Sequence, residues 1–299
     1  MTDIQGCGTA LVTPFTTPNE VDYAAFRKFV RWQIDSGINF LVPCGTTGES
    51  VTLSETEYKR VIGTCVAEAA GKVPVVAGAG SNSTEHAVYL AKLAETTGAD
   101  AILSVTPYYN KPTQDGLVAH FTELAKAVKI PVVLYNVPGR TACNLLPDTI
   151  VKLAASVPNI AAVKEASGSI PQIMELLQKR PKGLRVLSGD DAITFALIAL
   201  GGDGLISVAS NAIPAEMTAL VSALRGGRLE EARRLHYRYL DFMNLNFIES
   251  NPIPIKYVVA RLGKIHEMYR LPLCAMNEAN KRKMDQELEG LNLVASRRV

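Results

Sequence analysis

A single lysine ends an otherwise apolar run, Ile160-Ala161-Ala162-Val163-Lys164-Glu165-Ala166. No other segment of strand character carries a lysine inside it, because Lys72 and Lys129 precede theirs. Burial disfavours an ammonium, and the neutral amine left behind attacks carbonyls. The structural alternative is a lysine paired with a carboxylate, for which Glu165 is at hand. Tyr135 closes the preceding run, Ile130-Pro131-Val132-Val133-Leu134-Tyr135. The two runs are of nearly matching length, and adjacent strands lie about 5 Å apart. Tyr135 and Lys164 can therefore face one cavity, where a phenol would relay protons. A core tyrosine is the competing reading.

Three loops sit where further polar groups could converge on such a cavity. Gly45-Thr46-Thr47-Gly48-Glu49-Ser50 has flanking glycines that let backbone approach a ligand, and hydroxyls and amides that suit a carboxylate. An ordinary hydroxyl-rich turn fits the same residues, and a P-loop does not, since no Gly-Lys-Ser/Thr follows. Arg140, in Asn136-Val137-Pro138-Gly139-Arg140-Thr141, is placed to hold a carboxylate bidentately, or is simply exposed. Tyr108-Tyr109-Asn110 reads as another loop at this end, or as packing aromatics. The four histidines, His86, His120, His236 and His266, fall in helical segments without metal-ligand spacing, so neither a metal nor another cofactor is expected. Gly201-Gly202-Asp203-Gly204 precedes a strand and reads as a turn.

These residues need a scaffold that presents strand ends together. Eight short apolar runs, at residues 8–15, 40–44, 73–77, 101–106, 131–136, 160–165, 184–188 and 204–209, alternate with segments of helical period. The helical segments are 23–36, 55–70, 84–97, 116–128, 148–155, 171–178, 192–200 and 215–224. Asp22, Ser54, Ser83 and Pro147 are start signals, and Gly37, Gly71 and Gly98 are stops. Strict strand–helix alternation, with no antiparallel hairpin signal, implies a parallel sheet, and closure gives an α/β fold, the (β/α)8 TIM barrel. A doubly wound sheet lacks its Gly-x-Gly-x-x-Gly turn. Beyond residue 225 only helical stretches follow, at 229–247, 254–262 and 277–291. The expected organisation is a barrel over residues 1–224 carrying the site, and a C-terminal helical appendage over 225–299.

Composition narrows the class. The 299 residues are 47% hydrophobic, and net charge is +2, with no basic stripe for nucleic acid or a membrane surface. Lys281-Arg282-Lys283 and Arg297-Arg298 read as solvated helix ends. Five scattered cysteines fit reduced, mostly buried thiols. Neither a signal peptide nor a membrane span is expected, and the protein is placed in the cytoplasm.

Taken together, these segments resemble the dihydrodipicolinate synthase/N-acetylneuraminate lyase family. The likeness runs through nearly the whole chain. It rests on the Gly45–Glu49, Tyr135–Thr141 and Val163–Gly168 segments quoted in part above, on Thr106-Pro107-Tyr108-Tyr109-Asn110-Lys111-Pro112, and on Ser188-Gly189-Asp190-Asp191. Asn251-Pro252-Ile253-Pro254-Ile255-Lys256 looks like the synthase branch.

The resemblance implies that Lys164 forms an imine with pyruvate, whose enamine attacks L-aspartate-4-semialdehyde to give 4-hydroxy-tetrahydrodipicolinate. It further implies a proton relay of Thr46, Tyr135 and Tyr109, with Tyr109 serving the neighbouring subunit. Thr47 would bind the pyruvate carboxylate, with backbone groups near Gly189 and Ile206, and Arg140 the semialdehyde carboxylate. The implied assembly is a homotetramer, a dimer of dimers. Positions matching the family's lysine-sensing site are Ser50, Glu55, Tyr58, Asn82, His86 and Tyr108. Glu55 and Tyr58 stand where histidines are expected, and His86 where a glutamate is, so weak or absent lysine inhibition is expected. Two rivals share the fold: a pyruvate-dependent aldolase for N-acetylneuraminate or a 2-keto-3-deoxy sugar acid, which has no need of Arg140, and a non-catalytic binding barrel.

Overall fold

The computed structural model describes residues 2–295, so Arg297 and Arg298 lie outside the described residues. Eight parallel strands form the central sheet: β1 (Gly6–Ala10), β2 (Phe40–Val42), β3 (Val76–Gly78), β4 (Ala101–Val105), β5 (Val132–Asn136), β6 (Ile160–Glu165), β7 (Arg185–Ser188) and β8 (Gly204–Ser207). Their order is β2-β1-β8-β7-β6-β5-β4-β3. The two ends meet through a parallel bridge between Leu41 and Val75, backed by hydrogen bonds from Leu41 N to Pro74 O and from Gly78 N to Pro43 O, each 2.9 Å. A helix follows each strand, so the fold is the expected TIM barrel.

Alternation along the strands separates two cores. Inward residues such as Val42, Leu103, Val133, Ala162, Leu187 and Ile206 fill the barrel, while outward ones such as Leu41, Ile102, Leu134, Val163 and Val186 pack under the helices. The start signals act as expected. Asp22 caps the helix Tyr23–Asp35, Ser83 caps Thr84–Thr96, and Ser54 forms a capping box with Glu57 on Glu55–Ala69. Pro147 opens Pro147–Ser156, where its missing amide hydrogen costs nothing.

The first run departs from expectation. It leaves the barrel at Ala10, and Phe15–Thr17 pairs antiparallel with Glu20–Val21, a hairpin where an unbroken strand over 8–15 is expected. Pro14 has no amide hydrogen to donate to a sheet, while its carbonyl accepts from Asp22 N at 2.9 Å and turns the chain outward. The run at 73–77 is likewise cut short by Pro74 and becomes Val76–Gly78.

The expected C-terminal helices occupy Leu229–Leu245, Ile253–Arg261 and Glu278–Gly290. Asp285 accepts from Tyr257 Oη and Arg261 Nε, each at 2.8 Å, and joins the last two. Among the described residues no helix is long and apolar enough to cross a membrane. Cys7, Cys44, Cys65 and Cys143 are buried and free, while Cys274 is free and exposed.

Candidate active site

Lys164 and Tyr135 are direct cross-strand partners in the β5–β6 register. Both continue the inward faces that hold Val133 and Ala162, so both project into the barrel mouth at the carboxyl ends of the strands. Lys164 is 5% exposed, and its Nζ lies 4.2 Å from the centroid of the Tyr135 ring. Among the described residues no ion pair reaches this amine. Glu165 is not its partner, because the next residue on a strand faces the other way. The Glu165 carboxylate accepts from Asn136 Nδ2 at 3.0 Å and from Ser167 N at 2.6 Å, which stiffens the ends of β5 and β6.

Gly189 follows β7 and packs on the lysine stem. A Cβ there would lie 2.9 Å from Lys164 Cε and 2.8 Å from Ala166 Cβ. Those distances leave no room for a methyl group. Gly189→Ala should therefore displace the amine and lower turnover by about tenfold or more, because misplacing a reacting group by about 1 Å costs up to ~100-fold, and the clash with Ala166 Cβ should lower the melting temperature as well. Steady-state kinetics beside thermal denaturation checks this, and unchanged turnover would disprove the crowding argument.

The loop after β2 starts and ends in left-handed backbone, at Cys44 and Glu49 with φ of 55° and 52°. Between them, hydrogen bonds from Gly48 N to Gly45 O and from Glu49 N to Thr46 O, each 3.1 Å, coil the chain tightly. The loop presses on β3 so closely that a Cβ on Gly78 would sit 2.1 Å from Cys44 O. Thr47 is buried, and its hydroxyl accepts from Asn251 Nδ2 at 3.0 Å. Arg140 rides on a single helical turn, Pro138–Thr141, with Nη2 donating to Asn251 O at 3.3 Å.

Two adjoining cavities occupy the mouth. An inner one of about 100 Å³ is lined by Lys164, Tyr135, Thr46, Thr47, Gly189 and Arg140, among others. An outer one of about 250 Å³ shares Thr46, Tyr135 and Arg140 and adds Tyr108. The amine thus lies at the bottom and the guanidinium spans both.

Two residues named from sequence lie apart from this cluster. Ile206 faces the barrel interior, and Val208, just beyond β8, is the residue that reaches the inner cavity. Tyr109 is 88% exposed with φ of 77°, held by a hydrogen bond from its N to Thr141 O at 3.4 Å.

Several residues that tie the site together are not singled out by the sequence. Asp191 accepts from Ser207 Oγ at 2.5 Å and from the amides of Val208 and Ala209, each at 3.0 Å, which ties the β7 and β8 loops together. Burial pushes its carboxyl up to about 6, against the pull of those donors. Asn251 joins Thr47 to Arg140, and Lys256 pairs with Glu49. Burial pushes the Lys256 ammonium down, with Glu49 opposing the shift. The quoted motifs contained all of these positions, but nothing in the sequence says which groups touch.

The model of the Dihydrodipicolinate synthetase family matches residues 3–291. The chain belongs to this family. It is 52% identical over 291 residues to a 4-hydroxy-tetrahydrodipicolinate synthase of Chlorobium limicola, covering 97% of this chain and 98% of that one. It is 54% identical over 284 residues to the synthase of Koribacter versatilis, covering 95% and 94%. The crystal structure of a chloride-inhibited dihydrodipicolinate synthase from Acinetobacter baumannii complexed with pyruvate superposes with a TM-score of 0.95 at 40% identity, covering 97% of this chain and all (100%) of that one.

Five of the six positions that the resemblance offers as a possible lysine site gather round one cavity of about 200 Å³. These are Ser50, Glu55, Tyr58, His86 and Tyr108. Asn82 does not line it; its carbonyl accepts from Asn110 Nδ2 at 2.8 Å. The Tyr58 phenol is committed inward, donating to Gly78 O at 2.7 Å.

Proposed function

We propose that this protein is a lyase that condenses pyruvate with L-aspartate-4-semialdehyde through an imine at Lys164, yielding 4-hydroxy-tetrahydrodipicolinate for diaminopimelate and lysine biosynthesis. The observation that carries the reading is the buried Lys164 amine, without an ion-pair partner among the described residues and in register with Tyr135, in a cavity that Arg140 also lines.

Nζ adds to the ketone carbon of pyruvate, water leaves, and the imine forms. Loss of a methyl proton gives the enamine, whose carbon bonds to the aldehyde carbon of the second substrate. The amine of that substrate then attacks the imine carbon, closing the ring and returning Nζ as a free amine. Each step moves protons and none moves electrons to an acceptor, so hydroxyl groups suffice as catalysts. Tyr135 and Thr46 supply them from within the cavity. Thr47, with backbone near Gly189 and along the chain from Ile206 to Val208, receives the pyruvate carboxylate, and Arg140 the semialdehyde carboxylate.

Tyr109 completes the relay from a second subunit in a homotetramer built as a dimer of dimers. Its exposed phenol and left-handed backbone suit a residue presented to a neighbour rather than to its own core. The four buried free thiols fit a reducing compartment, and we assign the enzyme to the cytoplasm.

Borohydride reduction with pyruvate, followed by intact mass and peptide mapping, tests the mechanism: a pyruvate-derived adduct on Lys164 is expected, and no adduct would overturn it. L-lysine is expected to inhibit weakly or not at all. The Tyr58 phenol is engaged with Gly78, and His86 stands where a carboxylate partner for the lysine ammonium is expected, which leaves Glu55 as the one carboxylate among the residues that line the cavity. Inhibition of the purified enzyme at lysine concentrations well below the millimolar range would contradict this.

A further inference from the structure

The chemistry assigned to the cavity leaves one buried charge pair beside it unused. Lys256, on the helix Ile253–Arg261, and Glu49, at the end of the Thr46-Thr47 loop, have side chains 0% and 1% exposed. Nζ donates to Glu49 Oε1 at 2.5 Å, and the two residues stand 207 positions apart. The Arg270 amide donates to the other carboxylate oxygen at 3.4 Å. The Phe15 and Tyr269 ring centroids lie 4.2 Å and 5.3 Å from Nζ and wall the ammonium in.

Stability alone is a poor reason for such a pair. Desolvating both charges offsets most of their attraction, and apolar replacements of similar volume hold buried sites together as well or better. What the pair supplies is direction. Glu49 sits at a φ of 52°, where a side chain is strained and persists only if its surroundings hold it. Glu49 N is bonded to Thr46 O, and the Gly48 carbonyl accepts from Thr13 Oγ1 at 2.7 Å, so the turn carrying Thr47 is built directly on Glu49. The same C-terminal stretch grips the loop a second time, where Asn251 Nδ2 donates to the Thr47 hydroxyl. Residues 251–256 thus hold the loop at Thr47 and again at its last residue.

We propose that Glu49 and Lys256 are positioning residues for pyruvate: their ion pair locks the turn after β2 so that Thr47 faces the substrate carboxylate. The C-terminal helical region thereby sets the affinity of a site whose reacting amine belongs to the barrel. The inference rests on the assignment of Thr47 to the pyruvate carboxylate above.

The test removes both charges together, because a single substitution strands the other ion. In E49Q/K256M, thermal denaturation should give a melting temperature close to that of the unaltered protein. The pyruvate concentration giving half-maximal borohydride-trapped adduct should rise about tenfold or more, as expected when a supporting contact leaves a site about 1 Å loose. Added to Thr47→Val, the double substitution should weaken pyruvate little further, since it acts through Thr47. Glu49→Asp keeps both charges but withdraws the carboxylate by one methylene. It should raise the pyruvate requirement in the same direction, and it serves if the double variant fails to fold. A normal pyruvate requirement in either variant overturns the proposal, as does an effect that adds fully to that of Thr47→Val. No adduct on the unaltered protein would instead remove the imine mechanism, and this inference with it.

Discussion

Lys164→Ala should abolish the pyruvate-dependent mass increase on borohydride reduction and lower turnover by at least ~1000-fold, while the barrel stays folded. The size follows from what is lost. Without Nζ no imine forms, and the remaining hydroxyls can only bind and orient two carbonyl compounds that do not condense at a useful rate in water. Removing a covalent nucleophile commonly costs many powers of ten, with a residue of rate left from binding groups alone. Folding should be spared because the amine has no ion-pair partner among the described residues, so its deletion strands no buried charge. Lys164→Arg is the sharper variant. It retains a cation but has no neutral amine at any working pH, and it should be as inactive as alanine. An adduct that persists in Lys164→Ala, on another lysine, would refute the assignment.

Arg140→Ala should leave that adduct intact and remove the second half of the reaction. We expect kcat/KM for the semialdehyde to fall by ~100-fold to ~1000-fold, about 3 to 4 kcal/mol of transition-state binding, as for a lost bidentate carboxylate contact. Half-saturation by pyruvate should change little, because Arg140 bridges the outer cavity while Lys164 and Thr47 line the inner one alone. Arg140→Lys should recover only part of the loss, since an ammonium cannot present a planar fork. Arg140 also donates to the Asn251 carbonyl, so a small rise in the pyruvate requirement is consistent with loosening of Asn251 on Thr47. A rate with the semialdehyde that is unchanged in Arg140→Ala would take away the basis for choosing it over a sugar-acid aldehyde.

How far each feature was legible depends on the range of the interaction behind it. The common face of Lys164 and Tyr135 was readable because a strand has a period of two and the runs match in length; the observed register pairs them directly. The same period placed Glu165 on the opposite face, yet the sequence left a Lys164–Glu165 pair open, because it does not show what Glu165 bonds to instead. Pro14 illustrates the reverse case. An apolar run extended past it on composition, but a missing amide hydrogen and a turn at Thr17-Pro18-Asn19 sent the chain into a hairpin.

Taken alone, the sequence determined the alternating architecture, the helix caps, and the amine, phenol, threonine pair and guanidinium that the chemistry needs. Those are local properties, written in periodicity, in capping residues and in short motifs. Only the tertiary structure decided that Gly189 must be a glycine against the Lys164 stem, that Asn251 links Thr47 to Arg140, and that Lys256 neutralises Glu49 from 207 positions away. Such contacts leave no pattern along the chain, because closing a barrel and laying helices over its mouth brings together side chains whose separation in sequence carries no information about their separation in space.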